Sequence, residues 1–167
     1  MMMGLVLHTL EEVLIWVNTQ RQAGNRIVTT NGCFDLMHVG HARYLQWSKA
    51  QGDVLFVCVN SDASVRQLKG QSRPIVLEQD RMALLASLGC VDAVTCFSEQ
   101  TPVKLLEAIR PDCHVKGGQY TLETLPEAPA LLAMNTQVVF AEMSEGHSTS
   151  ALIQRVLSAH RSGADSV

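Results

Sequence analysis

Two histidines that flank a glycine form the segment with the clearest potential for chemistry, His38-Val39-Gly40-His41. Imidazole nitrogens donate hydrogen bonds to anions and change charge near neutral pH. Gly40 has no side chain, so a bulky anion can approach the backbone between the two rings. The segment is therefore a candidate anion site, although a histidine on an apolar face is more often a packed core residue.

The residues around this segment predict a strand, a tight turn and a helix. Ile27 and Val28 begin a β-branched apolar run, Asn31-Gly32 is turn chemistry, and Ala42 and Leu45 begin a helical spacing. Such a junction points backbone N–H groups and the positive end of a helix dipole at one spot, which suits a phosphate.

Later segments carry further candidates at the ends of predicted strands. The run 54–59 is apolar on both faces, which is typical of a parallel sheet covered by helices on both sides. Asp62 follows this strand, and two roles stay open for it: contact with a substrate, or capping of the next turn. Lys116 and Gly117 close another short strand, where an ammonium and bare backbone can lie against a triphosphate.

Two more segments combine polar side chains with a place near a predicted ligand. Residues 63–77 form a long connection that carries Lys69 and Arg73, and it is either solvated surface or a flap that brings these cations to phosphates. Ser148 and Thr149 precede a helical spacing, where the residues alone favour Ser148 as a simple N-cap.

The order of the elements predicts an α/β fold with a doubly wound, Rossmann-like parallel sheet of about five strands and right-handed crossovers. Residues 1–25 are expected to form an N-terminal helix packed on the domain, because Thr9 to Glu12 make a capping-box pattern. The main domain is assigned to residues 26–160 and a flexible tail to residues 161–167.

Gly32, Phe34, Asp35, His38, Gly40 and His41 together resemble the G-x-F-D-x-x-H-x-G-H signature of cytidylyltransferase-like nucleotidyltransferases. The resemblance continues through segments 59–62, 69–74, 115–118 and 146–150, and it spans roughly residues 26–157. This ordered set is most similar to the D-glycero-β-D-manno-heptose 1-phosphate adenylyltransferases, which make ADP-heptose for bacterial lipopolysaccharide.

The resemblance implies transfer of AMP from ATP to a sugar 1-phosphate, most similar to the heptose 1-phosphate reaction, with release of pyrophosphate. It also implies strand order 3-2-1-4-5 with the motif strand in the centre. Mg²⁺ is expected to be bound mainly by triphosphate oxygens and water rather than by protein side chains. Relatives commonly form homo-oligomers, so a dimer is expected.

The same resemblance implies roles for individual residues. His38 and His41 would meet the α- and β-phosphates, while Lys116, Ser148 and Thr149 would hold the β- and γ-phosphates. Gly32, Phe34, Gly40 and Gly117 would bring backbone close to the nucleotide, and Arg73 with Lys69 would close over the phosphates. Asp35 would orient the histidines or bind a sugar hydroxyl.

Two residues depart from the family pattern near the expected crevice. His147 stands where an uncharged residue is more common before the Ser-Thr pair, and it could add a third imidazole close to the substrate. Gln119 follows the two glycines, where an acidic residue is common. Neither departure changes the expected reaction type, but both lie where they would bear on the choice of sugar and of nucleotide base.

Composition places the chain among ordinary soluble globular domains. Its 167 residues are 47% apolar and 17% charged, with a formal charge of −3, so nucleic acid is not expected as a partner. The five cysteines form no C-x-x-C pair and are expected as thiols in a reducing compartment. The N-terminal residues resemble neither a signal peptide nor a membrane span, so a cytoplasmic protein without membrane contact is expected.

Three other functions are compatible with parts of the pattern. A cytidylyltransferase that acts on glycerol 3-phosphate or a similar small phosphate would share both phosphate motifs. A domain that binds a nucleotide without turnover is a second alternative. A metal site built from Asp35, His38, His41 and His147 is a third, although Gly40 and the helix start fit an anion better.

Overall fold

Six parallel strands form one sheet in the order β1-β4-β3-β2-β5-β6 in a computed structural model that describes residues 3–142 and 149–164. Side chains are described as far as residue 160. The strands are β1 (Leu5–Leu7), β2 (Ile27–Gly32), β3 (Val54–Asn60), β4 (Ala93–Phe97), β5 (Cys113–Gly117) and β6 (Gln137–Ala141).

The helices of the described chain alternate with these strands. They are α1 (Leu10–Gln22), α2 (Val39–Lys49), α3 (Asp62–Lys69), α4 (Glu78–Ala86), α5 (Val103–Ile109), α6 (Ala128–Ala133) and α7 (Thr149–Ala164). The predicted capping box begins α1, since Thr9 Oγ1 accepts the Glu12 N–H at 3.1 Å and Glu12 accepts the Thr9 N–H at 3.0 Å.

The α/β doubly wound fold is confirmed, with one correction to the strand count. From β4 through β6 the sheet follows the predicted order 3-2-1-4-5 when the motif strand β2 is counted as the first. The additional strand, β1, pairs in parallel with β4 at the edge. In a strand of three residues, the alternation of inward and outward side chains is too short to be recognised in the sequence. Such a strand is stabilised only by pairing with a neighbouring strand.

The predicted connection 63–77 is shorter than expected because most of its first half is helix α3. Ser61 caps this helix, since its hydroxyl accepts the Ser64 N–H at 3.2 Å, and Val65 is fully buried against the sheet. Only residues 70–77 remain as connection before α4. The Ser-Asp pair after β3 was the sequence signal for this helix start.

Alternate residues of the central strands supply the two apolar layers of the protein. Ile27 and Phe56 face α1, α5 and α6, whereas Val28 and Leu55 face α2 and α4. All four side chains are fully buried. Because the strands are parallel, their carboxyl ends meet at one edge, and the sheet order reverses between β3 and β5 on either side of β2. The fold therefore places the β2–α2 junction at a natural ligand crevice.

Candidate active site

The two motif histidines cap helix α2 together. His38 is the N-cap residue, and its Nδ1 accepts the Gly40 N–H at 3.1 Å. His41 lies one turn later, and its Nδ1 accepts the His38 N–H at 3.3 Å. The arrangement is a capping box in which two imidazoles replace the usual hydroxyl and carboxylate.

This cap determines which nitrogens of the two rings can donate. An Nδ1 that accepts a backbone N–H carries no proton, so each neutral ring carries its proton on Nε2. The ring centroids of His38 and His41 lie 4.1 Å apart. The helix start therefore presents two neighbouring Nε2–H donors, a geometry that is compatible with an anionic ligand.

His41 is held in its neutral form in the free protein. Burial, together with the nearby His38, lowers the pKa of His41 to about 4. The Phe34 ring contributes to this burial, since its centroid lies 5.7 Å from that of His41. A bound anion would favour the charged ring, but the added proton would lie on Nδ1 and break the hydrogen bond from the His38 N–H.

Phe34 reaches this position through an unusual backbone. Its φ is 47°, in the left-handed region that L residues rarely adopt, and its side chain is only 5% exposed. The ring folds back over Gly32, where a Cβ atom would lie 3.1 Å from it. Gly32 therefore leaves room for the Phe34 ring, which lines the cavity. Gly32 itself is not one of the described residues that line it.

A cavity of about 730 Å³ opens beside the histidines at the carboxyl edge of the sheet. Six of the residues predicted from the sequence line it: Phe34, His38, Gly40, His41, Gly117 and Thr149. Seven others were not predicted: Asn31, Arg43, Tyr44, Trp47, Phe140, Ala141 and Glu142. Arg43 and Trp47 lie four residues apart on α2, so helical spacing from Gly40 was the signal that could have identified them.

Tyr44 explains why glycine stands at position 117. The Tyr44 hydroxyl shares a 2.6 Å hydrogen bond with Thr30 and donates to the Val115 carbonyl at 3.1 Å. Its ring then lies where a Cβ of Gly117 would come within 3.0 Å. Burial raises the pKa of Tyr44 to about 12, so its hydroxyl stays protonated and keeps β2, α2 and β5 together.

Lys116 lies at the margin of the cavity. Its Nζ donates to Asn31 Oδ1 at 3.0 Å and to Glu127 Oε1 at 2.6 Å. Asn31 lines the cavity, whereas Lys116 is not one of the described residues that line it. The ammonium is therefore one side chain away from the space that the histidines face.

A second group of predicted residues lies around the motif turn, outside the described lining of the cavity. Asp35 is 2% exposed and accepts hydrogen bonds from Arg73 Nε at 2.5 Å and from the N–H groups of Ile75 and Val76 at 2.8 Å. Burial opposes ionisation, but these donors lower the pKa of Asp35. Asp35 thus anchors connection 70–77 to the motif turn, a task that the sequence did not predict.

Asp62 is joined to a fully buried arginine. Its Oδ1 accepts from Arg81 Nη2 at 2.8 Å, while Arg81 also donates to the carbonyls of Cys33 and Val76. Neither Asp62 nor Lys69, which is exposed at the end of α3, is among the described cavity-lining residues. Contacts of Arg73, Lys69, Asp62 and Asp35 with substrate remain predictions.

His147 and Ser148 lie outside the described residues. Thr149 begins α7, and its hydroxyl lies 3.4 Å from the Leu36 carbonyl, so this helix start does reach the motif loop. Within the described ranges, no cluster of three or more His, Cys, Asp or Glu side chains is arranged to hold a metal ion. In the same ranges, no helix is both long enough and apolar enough to cross a membrane.

Comparison with known proteins agrees with this geometry. The bifunctional protein HldE of Syntrophotalea carbinolica is 44% identical over 147 residues, which are 88% of this chain and 30% of that protein. The protein of the same name from Alkalilimnicola ehrlichii is 49% identical over 148 residues, 89% of this chain and 31% of that protein. The chain thus spans about a third of the length of the curated relatives it matches.

A solved structure covers most of the same region. The lipopolysaccharide core biosynthesis protein from Thermoplasma volcanium is 28% identical, with a TM-score of 0.61 over 74% of this chain and 100% of that one. A model of the cytidylyltransferase-like family matches residues 29–155, from the middle of β2 into α7. The chain therefore belongs to the cytidylyltransferase-like family.

Proposed function

We propose that the protein transfers AMP from ATP to a sugar 1-phosphate, and that the sugar is D-glycero-β-D-manno-heptose, giving ADP-heptose and pyrophosphate. The observation that carries this proposal is the pair of imidazoles at the start of α2, whose Nδ1 atoms are both occupied by backbone N–H groups. Their Nε2 donors border a cavity of nucleotide size.

The reaction requires alignment more than it requires a base. A sugar phosphate is already largely dianionic at neutral pH, because its second pKa is about 6. One of its oxygens attacks the α-phosphorus of ATP, a new P–O bond forms, and the bond to the β-phosphate oxygen breaks in line. His38 and His41 donate hydrogen bonds to the oxygens where negative charge grows, which lowers the barrier most when the donors are held in advance.

The surrounding residues supply the rest of the phosphate site. Gly40 lets the triphosphate approach the N-terminus of α2, and Gly117 leaves β5 bare at the cavity wall. Lys116 and Thr149, together with Ser148, would hold the β- and γ-phosphates. Mg²⁺ would be held by the triphosphate and water, and it would neutralise charge on the phosphate oxygens.

Two findings support heptose as the sugar. The curated relatives named above are HldE proteins at 44% and 49% identity. The neighbour from Thermoplasma volcanium is a lipopolysaccharide core biosynthesis protein. Because this chain matches only about a third of each HldE protein, the activity proposed here is limited to nucleotidyl transfer.

Pyrophosphate release with Mg²⁺ tests the proposal directly. ATP and CTP are crossed with both anomers of heptose 1-phosphate, with mannose 1-phosphate and with glycerol 3-phosphate. Release with ATP and the β-heptose phosphate alone is the expected result. Release with CTP and glycerol 3-phosphate would show that these are the substrates instead. ATP binding without pyrophosphate release across the panel would favour a nucleotide-binding domain that performs no turnover.

Assembly as a homodimer in the cytoplasm belongs to the same proposal. The apolar side chains of Leu5, Leu10 and Ile15, on β1 and α1, are 54–61% exposed, which supports a contact between subunits on this side of the sheet. Light scattering coupled to size-exclusion chromatography would give twice the mass of one chain, and Leu10→Glu with Ile15→Glu would return it to a single chain.

A further inference from the structure

A buried polar network lies beneath Lys116 on one face of the sheet. Thr29 and Asn31 are two residues apart on β2, and His114 and Lys116 are two residues apart on β5. Residues at this spacing lie on the same face of a strand, so all four face the same side of the sheet. The two strands are neighbours, with Thr29 paired to His114 in the register. Glu127, the N-cap residue of α6, completes this group by its contacts with His114 and Lys116.

Glu127 is the centre of the network. It is 2% exposed, and its Oε1 lies 2.6 Å from Lys116 Nζ and 3.8 Å from His114 Nε2. Burial alone would raise the pKa of Glu127, but His114 and the Lys116 ammonium lower it to about 2. The carboxylate is therefore ionised at every pH at which the protein would work, and its main partner is the ammonium.

His114 packs close to the Glu127 carboxylate on the same face of the sheet. It is fully buried, and its Nδ1 lies 2.8 Å from the Thr29 hydroxyl. Its Nε2 has no hydrogen-bond partner among the described residues, although it is directed close to Glu127. Burial lowers the pKa of His114, so the ring is neutral and adds no competing charge beside Lys116.

A buried charge pair of this kind needs a reason, because desolvation of two ions offsets most of their attraction. The network leaves Lys116 with little freedom, since Asn31 holds it at 3.0 Å and the Tyr120 ring lies 5.2 Å from its Nζ. Asn31 in turn lines the cavity. The contacts therefore hold a flexible side chain at one place on the margin of the cavity.

We propose that Glu127 is a positioning residue that holds the Lys116 ammonium ready for the β- and γ-phosphates of a nucleoside triphosphate. This inference rests on the proposed function, because Lys116 acts there as a phosphate ligand. Glu127 itself does not touch the nucleotide. Its contribution is to hold in advance a side chain that would otherwise lose rotamer freedom when the triphosphate binds.

The test compares ligands with and without the outer phosphates. Glu127→Gln keeps the volume and one oxygen but removes the charge that binds the ammonium. We expect it to weaken ATP binding by at least about tenfold, since misplaced groups at such sites cost up to about a hundredfold. AMP binding should stay within about twofold, because AMP lacks the phosphates that Lys116 meets. Isothermal titration calorimetry measures both.

Two further variants separate positioning from a general loss of structure. Glu123→Gln removes an exposed carboxylate four residues earlier in the same segment and should change neither affinity. In a Lys116→Met background, adding Glu127→Gln should leave the ATP affinity within about twofold, because the side chain through which Glu127 acts is gone. If Glu127→Gln does not fold, Glu127→Asp takes its place in the same comparison.

The possible failures are distinguishable. Equal weakening of ATP and AMP, unchanged ATP affinity, or a full effect in the Lys116→Met background would each overturn the positioning role of Glu127. A wild-type protein that binds ATP but releases no pyrophosphate would overturn the proposed reaction and leave the role of Glu127 to be judged by the affinities. Absence of ATP binding by the wild type would overturn both.

Discussion

Arg73 Nε lies 2.5 Å from Asp35 Oδ2, which joins connection 70–77 to the motif turn across 38 residues of the chain. The same carboxylate also accepts the N–H groups of Ile75 and Val76, so both of its oxygens are used. Arg73 was predicted to close over phosphates. In the free protein it instead helps to hold this connection against the motif.

Replacement of Asp35 by asparagine should release this connection. The amide that takes the place of the carboxylate would present N–H groups toward backbone N–H donors, so at least one hydrogen bond is lost and the ion pair disappears. We expect faster hydrogen exchange at the amides of Ile75 and Val76 and a lower kcat/KM. Asp80→Asn, an exposed carboxylate on α4, is the matched control and should exchange like the wild type.

Arg81 should be important for stability although no ligand is expected to touch it. Arg81→Met leaves the Asp62 carboxylate and the carbonyls of Cys33 and Val76 without a buried partner. Breaking one side of a buried ion pair costs about 3–5 kcal/mol. Urea unfolding should show this loss, whereas Arg66→Met on the exposed side of α3 should not. Adding Asp62→Asn to Arg81→Met should recover part of the stability; no recovery would contradict the pairing.

Removal of the His41 imidazole should slow the chemical step. His41→Ala deletes one donor that the N-terminus of α2 holds in place, and loss of such a donor lowers kcat by about a hundredfold or more. Steady-state pyrophosphate release measures this effect, with circular dichroism to verify the fold. His8→Ala, an exposed histidine before α1, should keep normal turnover. A folded His41→Ala protein with wild-type kcat would remove His41 from the mechanism.

Stability should fall as pH is lowered from about 6.5 to about 4, and His41 should account for part of the loss. The pKa of His41 is lowered to about 4 in the folded protein from an ordinary 6.5. Between these values the unfolded chain binds a proton that the folded protein does not, so acid favours unfolding. The buried His114, whose pKa is also lowered, acts in the same direction.

Melting temperatures measured across this range test the assignment to His41. Between pH 6.5 and pH 4, the melting temperature of His41→Asn should fall less than that of the wild type. The melting temperature of His8→Asn should fall as much as that of the wild type. Bound ATP should reduce the loss in the wild type, since phosphates favour the protonated ring. Parallel curves for the wild type and His41→Asn would show that the ring is not responsible.

Trp47 should report nucleotide binding through its fluorescence. It is 41% exposed and lines the cavity, whereas Trp16, the other tryptophan of the chain, is 7% exposed and packs against Phe56 on the opposite face. ATP should therefore change the intrinsic fluorescence of the wild type. Trp47→Phe should abolish the change without abolishing the binding seen by calorimetry. A change that persists in Trp47→Phe would place the nucleotide elsewhere.

Local patterns in the sequence determined the elements and the histidine motif at the start of α2. Apolar runs, capping residues and the glycines predicted five of the six strands and placed His38, Gly40, His41, Gly117 and Thr149 at ends of elements that share one edge of the sheet. These predictions succeeded because capping, turns and side-chain periodicity depend on residues close together in the chain. The family resemblance rested on the same short segments.

Only the tertiary structure decided which distant side chains meet. Asp35 with Arg73, Arg81 with Asp62, and Lys116 with Glu127 are pairs whose members come from separate segments of the chain, and their spacing follows neither the helix nor the strand period. Strand β1 likewise depends on its partner β4. Such contacts depend on how the sheet twists and where the helices pack, so the histidine motif was determined by the sequence alone, whereas the residues that hold it in place were determined by the fold.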